Sequence, residues 1–291
     1  SYKHFEPDKR MFHTAAIYGP MMLINGGINE ETSEISDKIH IYDINNKRWI
    51  GSTVTNQDSK KNSLPRRYMH SMTAVVNSKI DQKTQSSMAL LVQSFKAKLA
   101  GEAISYEKMG LYIFGGLDES DVPTNDLFHL RICQRETNDI YDNKKEDFYE
   151  GAEPRIYMEL KKIEAAGAPP LPRYMHTAEN IGKYLCIFGG KNDSIFPQTR
   201  NTALNDLHMY DISLNKWITV AIYGYLPMSR WGHCSTVYQN QMVIFGGKNL
   251  DTYANGDRLH FVQLDSADFK IRETKNQVLQ LREFAKGKFK A

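Results

Sequence analysis

The sequence predicts an all-β fold made of four copies of one repeating unit, and three observations carry that prediction. A histidine recurs ahead of a short apolar run, and each such run is followed by a strand that closes on a Gly-Gly pair. A polar loop and a further strand come after every glycine pair. In two copies a Tyr and a Trp then stand seven residues apart. Repetition at this scale is the signature of arrays and radial β architectures.

The four copies can be taken in order. The first runs from His13 to Gly26-Gly27, then through the strand 39–43 to Tyr42 and Trp49. The second runs from His70 to Gly115-Gly116, with the following strand over 127–132. The third runs from His176 to Gly189-Gly190, then through 207–212 to Tyr210 and Trp217. The fourth runs from His233 to Gly246-Gly247 and the strand 259–264, with Phe269 where the Trp would stand. In three copies the first glycine falls 13 residues after the histidine, and an insertion stretches the second copy to 45. An arginine precedes each histidine by three residues: Arg10, Arg67, Arg173 and Arg230. The last copy shows the longer form Gly-x-x-Pro-x-x-Arg-x-x-His at Gly224, Pro227, Arg230 and His233.

Arg-x-x-His, strand, Gly-Gly, Tyr and Trp together resemble the kelch motif, over nearly the whole chain. The second copy lacks the Trp, and the fourth lacks both Tyr and Trp. The resemblance implies a kelch-type β-propeller of four-stranded blades. Glycine suits a strand end that turns beside a central channel, where a positive φ and close backbone approach are needed. Tyr and Trp fill the gap between blades and keep a polar end. A lone blade cannot bury both faces, whereas radial stacking can. The expected blades span approximately 8–64, 65–170, 171–228 and 229–273 within a propeller segment 1–273. Propellers close with about four to eight blades, and the family resembled usually closes with five to seven. The four copies are therefore expected to be part of a larger propeller, completed by further N-terminal blades or by another chain. The absence of an initiator Met fits an excerpt.

Two insertions are expected, at 77–109 and 134–153. In the first, Met88, Leu91, Val92, Phe95 and Leu99 share one helical face, and Lys96, Lys98 and Gly101 resemble a helix C-terminus. The helix either packs outside the propeller or docks on a partner. The second is acidic and reads as a solvated loop. The tail, 274–291, opens with capping-box form at Thr274 and Gln277. It continues with Val278, Leu281 and Phe284 on one side, and ends basic at Lys286, Lys288 and Lys290. A helix over 275–286 is expected.

Composition bounds the function. With 41% apolar residues the chain can bury a core, and a net charge of +3 gives no nucleic-acid footprint by itself. Three cysteines, Cys133, Cys186 and Cys234, show no paired spacing, so neither zinc nor a disulfide framework is expected. A reducing, cytoplasmic setting follows. No apolar run is long enough for a membrane span, and 1–10 lacks a signal-peptide core. A histidine repeated in every copy argues for structure over catalysis, since a reaction needs one arranged site. No phosphate loop, HExxH or GxSxG is present. No catalytic residue, metal or cofactor is expected. Arg10, Arg67, Arg173 and Arg230, converging on one channel mouth, would suit an acidic peptide through bidentate contacts. The alternative is that each arginine ties adjacent blades together.

The resemblance implies a non-enzymatic scaffold or adaptor that binds a protein or peptide by its loop face. Its setting would be a larger complex, with cytoskeletal and ciliary assemblies among the candidates. The alternatives are a small-molecule enzyme such as a sugar mutarotase, and a regulatory kelch domain of a phosphatase or ubiquitin-ligase adaptor.

Overall fold

A computed structural model describes residues 5–58, 63–76, 104–133, 155–194, 202–218, 220, 227–249 and 259–263. The predicted helices over 88–99 and 275–286 and the acidic stretch 134–153 lie outside the described residues. So do Gly224 and Phe269.

Within each repeat the strands pair antiparallel. The first repeat contributes β1 (Arg10–Met11), β2 (Thr14–Tyr18), β3 (Met21–Asn25), β4 (Ile28–Asn29), β5 (Ile39–Asp43) and β6 (Arg48–Asn56). Here β2, β3, β5 and β6 pair in sequence order as one blade, while β1 pairs with β4 above it. The second blade is β7 (Ser71–Val75), β8 (Gly110–Phe114), β9 (Leu127–Cys133) and β10 (Arg155–Lys162). The third is β11 (Thr177–Ile181), β12 (Tyr184–Phe188), β13 (Leu207–Asp211) and β14 (Lys216–Ile218). Among the described residues the fourth shows three strands, β15 (Cys234–Tyr238), β16 (Gln241–Phe245) and β17 (Leu259–Gln263). The innermost strands β2, β7, β11 and β15 are neighbours in that order, so the blades stand around a common axis. This is the propeller architecture that the repeat predicts.

The core lies between blades. Leu23, Ile41, Ile50 and Val54 of the first blade meet Met72, Ile113, Leu130 and Met158 of the second. Tyr112 and Phe114 meet Leu185, Ile187, Tyr210 and Trp217 at the next joint. Ile181, Phe188 and Met209 meet Met242, Ile244 and Val262 at the last. A strand flanked on both sides must be apolar on both faces, and every residue of β8 is buried. The second blade has no Trp, but Ile104 and Met109, placed by the sequence inside its first insertion, pack into the joint with the third blade. A short 3-10 turn, Tyr106–Lys108, separates them.

At the outer corners a recurrent aspartate sets the turn. Asp43 Oδ1 accepts from the Asn46 amide at 3.1 Å, and Asp211 Oδ1 accepts from the Leu214 amide at 2.9 Å. These Asx turns stabilise the chain reversal before each Trp-bearing strand.

One feature of the rim is absent from the repeat pattern. Strands β6 and β10 pair in parallel, from Gly51 opposite Arg155 to Asn56 opposite Leu160, which joins the first two blades into one eight-stranded sheet. The chain beyond β10 then bonds to the third blade. The Ala166 amide donates to the Asn215 carbonyl at 3.0 Å, and the Trp217 amide donates to the Ala166 carbonyl at 2.8 Å. Three blades are thus stitched at the outside as well as at the hub, and two sheet edges are removed.

Candidate functional site

The hub is built by the loops that bring each Arg-x-x-His to the axis. The residue just before the histidine has a positive φ in all four repeats: Phe12, Met69, Met175 and Gly232. That backbone twist lets successive loops hydrogen-bond to one another. The Met69 amide donates to the Phe12 carbonyl, Met175 to Met69, and Gly232 to Met175, each at 2.9 Å. The residue after each arginine bridges the residue after each Gly-Gly pair: Met11 with Ile28, Tyr68 with Leu117, Tyr174 with Lys191, and Trp231 with Lys248.

The arginines tie this layer together. Arg10, Arg67, Arg173 and Arg230 each donate Nη1 to the carbonyl of their own repeat's first glycine: Gly26, Gly115, Gly189 and Gly246, at 2.8–3.2 Å. The backbone carbonyls of Arg67, Arg173 and Arg230 accept from the second glycine of the preceding repeat: Gly27, Gly116 and Gly190. Glycine is required here by space as well as by φ. A Cβ on Gly115 would lie 2.7 Å from the Arg173 carbonyl oxygen and 2.9 Å from His176 Cε1.

The rest of each guanidinium meets different surroundings, and Arg67 Nε is buried without a hydrogen-bond partner. Arg173 makes a bidentate pair with Asp206, at 2.7 and 2.8 Å. Burial alone would raise the Asp206 carboxyl, but hydrogen bonds from Arg173 and His208 outweigh it and hold the group well below the usual range. Arg67 lies over the Phe128 ring at 4.8 Å, and burial brings it down to about 10, with Asp126 and Asp118 opposing. Arg230 Nη2 sits 3.2 Å from His260 Nε2.

Each histidine of the second, third and fourth repeats reaches into the blade before it. His70 Nε2 donates to Asn25 Oδ1 at 3.1 Å. His176 Nε2 shares a hydrogen bond with Ser71 Oγ, and His233 Nε2 with Thr177 Oγ1, both at 2.9 Å. The rings of His176 and His233 also stand edge-on to Phe114 and Phe188. Burial, reinforced by Arg173 and Arg230, pushes His176 and His233 down to about 3, and burial lowers His70 strongly as well. These are neutral, buried joints between blades.

For three of the four arginines the geometry fits the alternative reading, a structural tie. Arg67, Arg173 and Arg230 are 4%, 0% and 1% exposed, and the Nη1 group of each serves a glycine carbonyl inside the fold. Of the four, only Arg10 is half-exposed. The other kelch-motif residues divide. Tyr210 and Trp217 are buried between the second and third blades, whereas Tyr42 and Trp49 pack edge-on at 5.1 Å and remain half-exposed.

What reaches solvent on this face is a layer that the repeat pattern did not single out. Met11, Phe12, Val122, Leu171 and Met228 are 42–53% exposed. Leu171 and Met228 hold the same place, two residues before an arginine, whose Nε donates to their carbonyl at 3.0 Å. Beside them Trp231 lies between two ammonium groups, Lys191 Nζ at 5.1 Å and Lys248 Nζ at 5.6 Å from its ring centroid. Tyr68 OH donates to Asp121 at 2.5 Å, and Tyr174 OH donates to Asp193. Burial and these carboxylates push both phenols up. The arrangement offers apolar contact and the exposed ammonium of Lys248, while Lys191 is largely covered and pairs with Asp193 at 2.9 Å. Apolar side chains next to the recurring motif letters were the available sequence signal, but a lone Leu or Met in a loop carries no period.

Comparison with known proteins agrees with this architecture. The family model described as "KLHDC2/KLHL20/DRC7 Kelch-repeats domain" matches residues 79–285. Acyl-CoA-binding domain-containing protein 5 of Arabidopsis thaliana is 25% identical over 269 residues, covering 84% of this chain and 37% of that protein. Kelch domain-containing protein 3 of Homo sapiens is 29% identical over 127 residues, 43% of this chain and 32% of the relative. Rho GTPase-activating protein gacHH of Dictyostelium discoideum is 30% identical over 148 residues, 50% of this chain and 8% of the relative. The chain thus spans well under half the length of the relatives it matches.

Proposed function

The chain belongs to the kelch-repeat family, and from that premise we propose that it is a non-enzymatic interaction module whose loop face binds an acidic protein or peptide segment. The observation that carries the reading is the pairing of exposed apolar side chains, Phe12, Leu171 and Met228, with the exposed Lys248 beside Trp231, whose other flank holds Lys191 paired to Asp193. A buried apolar anchor gives a partner affinity, and rim charges choose its sign. The repeated histidines and arginines are engaged in holding blades, which supports binding over catalysis. Among the described residues no helix is long and apolar enough to cross a membrane.

Selection from a random peptide library tests this. The reading expects acidic sequences with an apolar anchor to be enriched, and that enrichment to vanish with Lys248→Glu or Leu171→Asp. Enrichment that is indifferent to both substitutions would count against the loop face. Enrichment of basic peptides would count against the charge assignment. The finer form of the proposal places the module in a larger assembly, cytoskeletal or ciliary. Co-localisation of the tagged protein with such a structure, lost with Leu171→Asp, is the corresponding measurement.

A further inference from the structure

The third repeat closes its arginine with a carboxylate, and the first repeat sets up the same partners without one. In the third, Arg173 donates Nε to the Leu171 carbonyl and Nη1 to the Gly189 carbonyl. Asp206, just before β13, accepts from both terminal nitrogens and from His208 Nε2, at 2.7–2.8 Å. In the first, Arg10 holds the same pose, with Nε on the Asp8 carbonyl and Nη1 on the Gly26 carbonyl. Ile39 pairs with Asn25 as Leu207 pairs with Phe188, each beside the first glycine. That register puts His40 in the place of His208 and Lys38 in the place of Asp206.

The consequence is visible at His40. Its Nδ1 donates to the Phe5 carbonyl at 3.0 Å, while its Nε2 is buried with no hydrogen-bond partner. On His208 that same nitrogen meets Asp206. A buried nitrogen left unpaired is costly and calls for an explanation. The other repeats meet the need differently. The second has Phe128 at the histidine's place, and in the fourth Arg230 Nη2 reaches His260 Nε2 directly at 3.2 Å. Arg10, Lys38 and His40 line a pocket of about 670 Å³, bounded also by Leu64 and Arg66 of the link to the second blade. Glu6, Asp8, Glu34 and Asp37 border it too. Asp37 pairs with Arg66 at 3.8 Å, and among the described residues none of the four forms an ion pair with Arg10. The adjoining stretches 1–4 and 59–62 hold no Asp or Glu.

We infer that this pocket is a binding site for a ligand carboxylate, which takes the place that Asp206 fills in the third repeat. One oxygen accepts from the terminal nitrogens of Arg10 and the other from His40 Nε2. The ammonium of Lys38, on an exposed side chain, closes over them. The Phe5 carbonyl can only accept, so Nδ1 carries the proton of a neutral His40, and Nε2 gains one as the carboxylate binds. Burial, then Arg10 and Lys38, hold His40 below the ordinary histidine value, against the Phe5 carbonyl and Asp8. A carboxylate beside it reverses that balance. A free acid and an acidic side chain share this chemistry. The site uses none of the side chains on which the loop-face reading rests, and acetate, which has no apolar anchor, tests it separately.

Histidine NMR on the full polypeptide, titrated with acetate and then with a capped Gly-Glu-Gly peptide, reads the site directly. The His40 resonance should move saturably, and affinity should fall as pH rises from about 5.5 to 7.5, by up to about tenfold per unit. Tighter binding of the peptide assigns the site to an acidic side chain, and equal or weaker binding assigns it to a free acid. Lys38→Asp supplies the carboxylate from the chain itself. It should abolish the acetate response and raise the melting midpoint by about 2–4 °C. His40→Phe, copying the second repeat, should weaken acetate by about fivefold or more and flatten the pH dependence. A His40 resonance indifferent to acetate up to about 100 mM overturns the inference. So does an acetate response that survives Lys38→Asp, or a melting midpoint that Lys38→Asp leaves unchanged or lowers.

Discussion

The interior third repeat and the first repeat carry the same motif letters and use them differently. Arg173 is fully buried and bidentate to Asp206, whereas Arg10 is half-exposed, lowered by burial, and bonded to the carbonyls of Gly26 and Asp8. His176 is locked between Ser71 and Phe114, whereas His13 meets solvent. Tyr210 and Trp217 are core residues, whereas Tyr42 and Trp49 are a half-open pair. The energetic worth of a motif residue is thus set by the blade beside it.

The largest expected contrast is at the tryptophans. Trp217→Ala empties a fully packed joint and should destabilise the fold by about 3–5 kcal/mol, whereas Trp49→Ala, already half in water, should lose about half as much. Equal losses in urea unfolding would erase the distinction between interior and end repeats.

The glycines give the next contrast. Gly189→Ala and Gly246→Ala both place a side chain at positive φ, at roughly 1–2 kcal/mol. Only at Gly189 would the Cβ also press on the next repeat, 2.8 Å from the Arg230 carbonyl oxygen and 2.9 Å from His233 Cε1. Overpacking of that kind adds about 1–3 kcal/mol. If the two variants melt together, the hub contact is softer than its geometry implies.

Arg173→Met leaves Asp206 without its partner. Breaking a buried pair costs about 3–5 kcal/mol, and discounting for the third of Asp206 that meets water brings this to about 2–3 kcal/mol. Arg10→Met should cost below about 1 kcal/mol. Thermal unfolding of the two variants side by side measures the difference.

Acid sharpens the same comparison. His176 and His233 sit at about 3 in the folded state, against an ordinary value of 6.5. Their folded values are depressed, so the unfolded chain binds more protons between pH 6.5 and 3. Their contribution is therefore intact above about pH 6.5 and is lost as pH falls towards 3, at up to about 1.4 kcal/mol per pH unit for each histidine. Urea midpoints at pH 7 and pH 5 should differ accordingly, and His176→Gln should remove one histidine's share of the slope.

Period and composition were enough to place the inner three strands of every blade, the Gly-Gly turns and the Tyr–Trp pairs. Strands β5 and β13 fall on the expected Tyr42 and Tyr210, because a strand alternation ended by glycine reads locally. The parallel union of β6 with β10 was not legible, since it joins residues about 100 positions apart and uses backbone groups that carry no letter. Nor was the direction in which the arginines point. The spacing Arg-x-x-His fixes that both residues reach the hub, but burial of Arg67, Arg173 and Arg230 depends on the glycine carbonyl that folds back over each.

The sequence alone therefore determined the kelch repeat and its all-β blades. Those follow from local spacing, alternation and the backbone freedom of glycine. Only the tertiary structure decided which copies of the motif are core and which are surface. A residue's burial belongs to its neighbours across the joint, and four nearly identical strings cannot say which of them has a neighbour on each side.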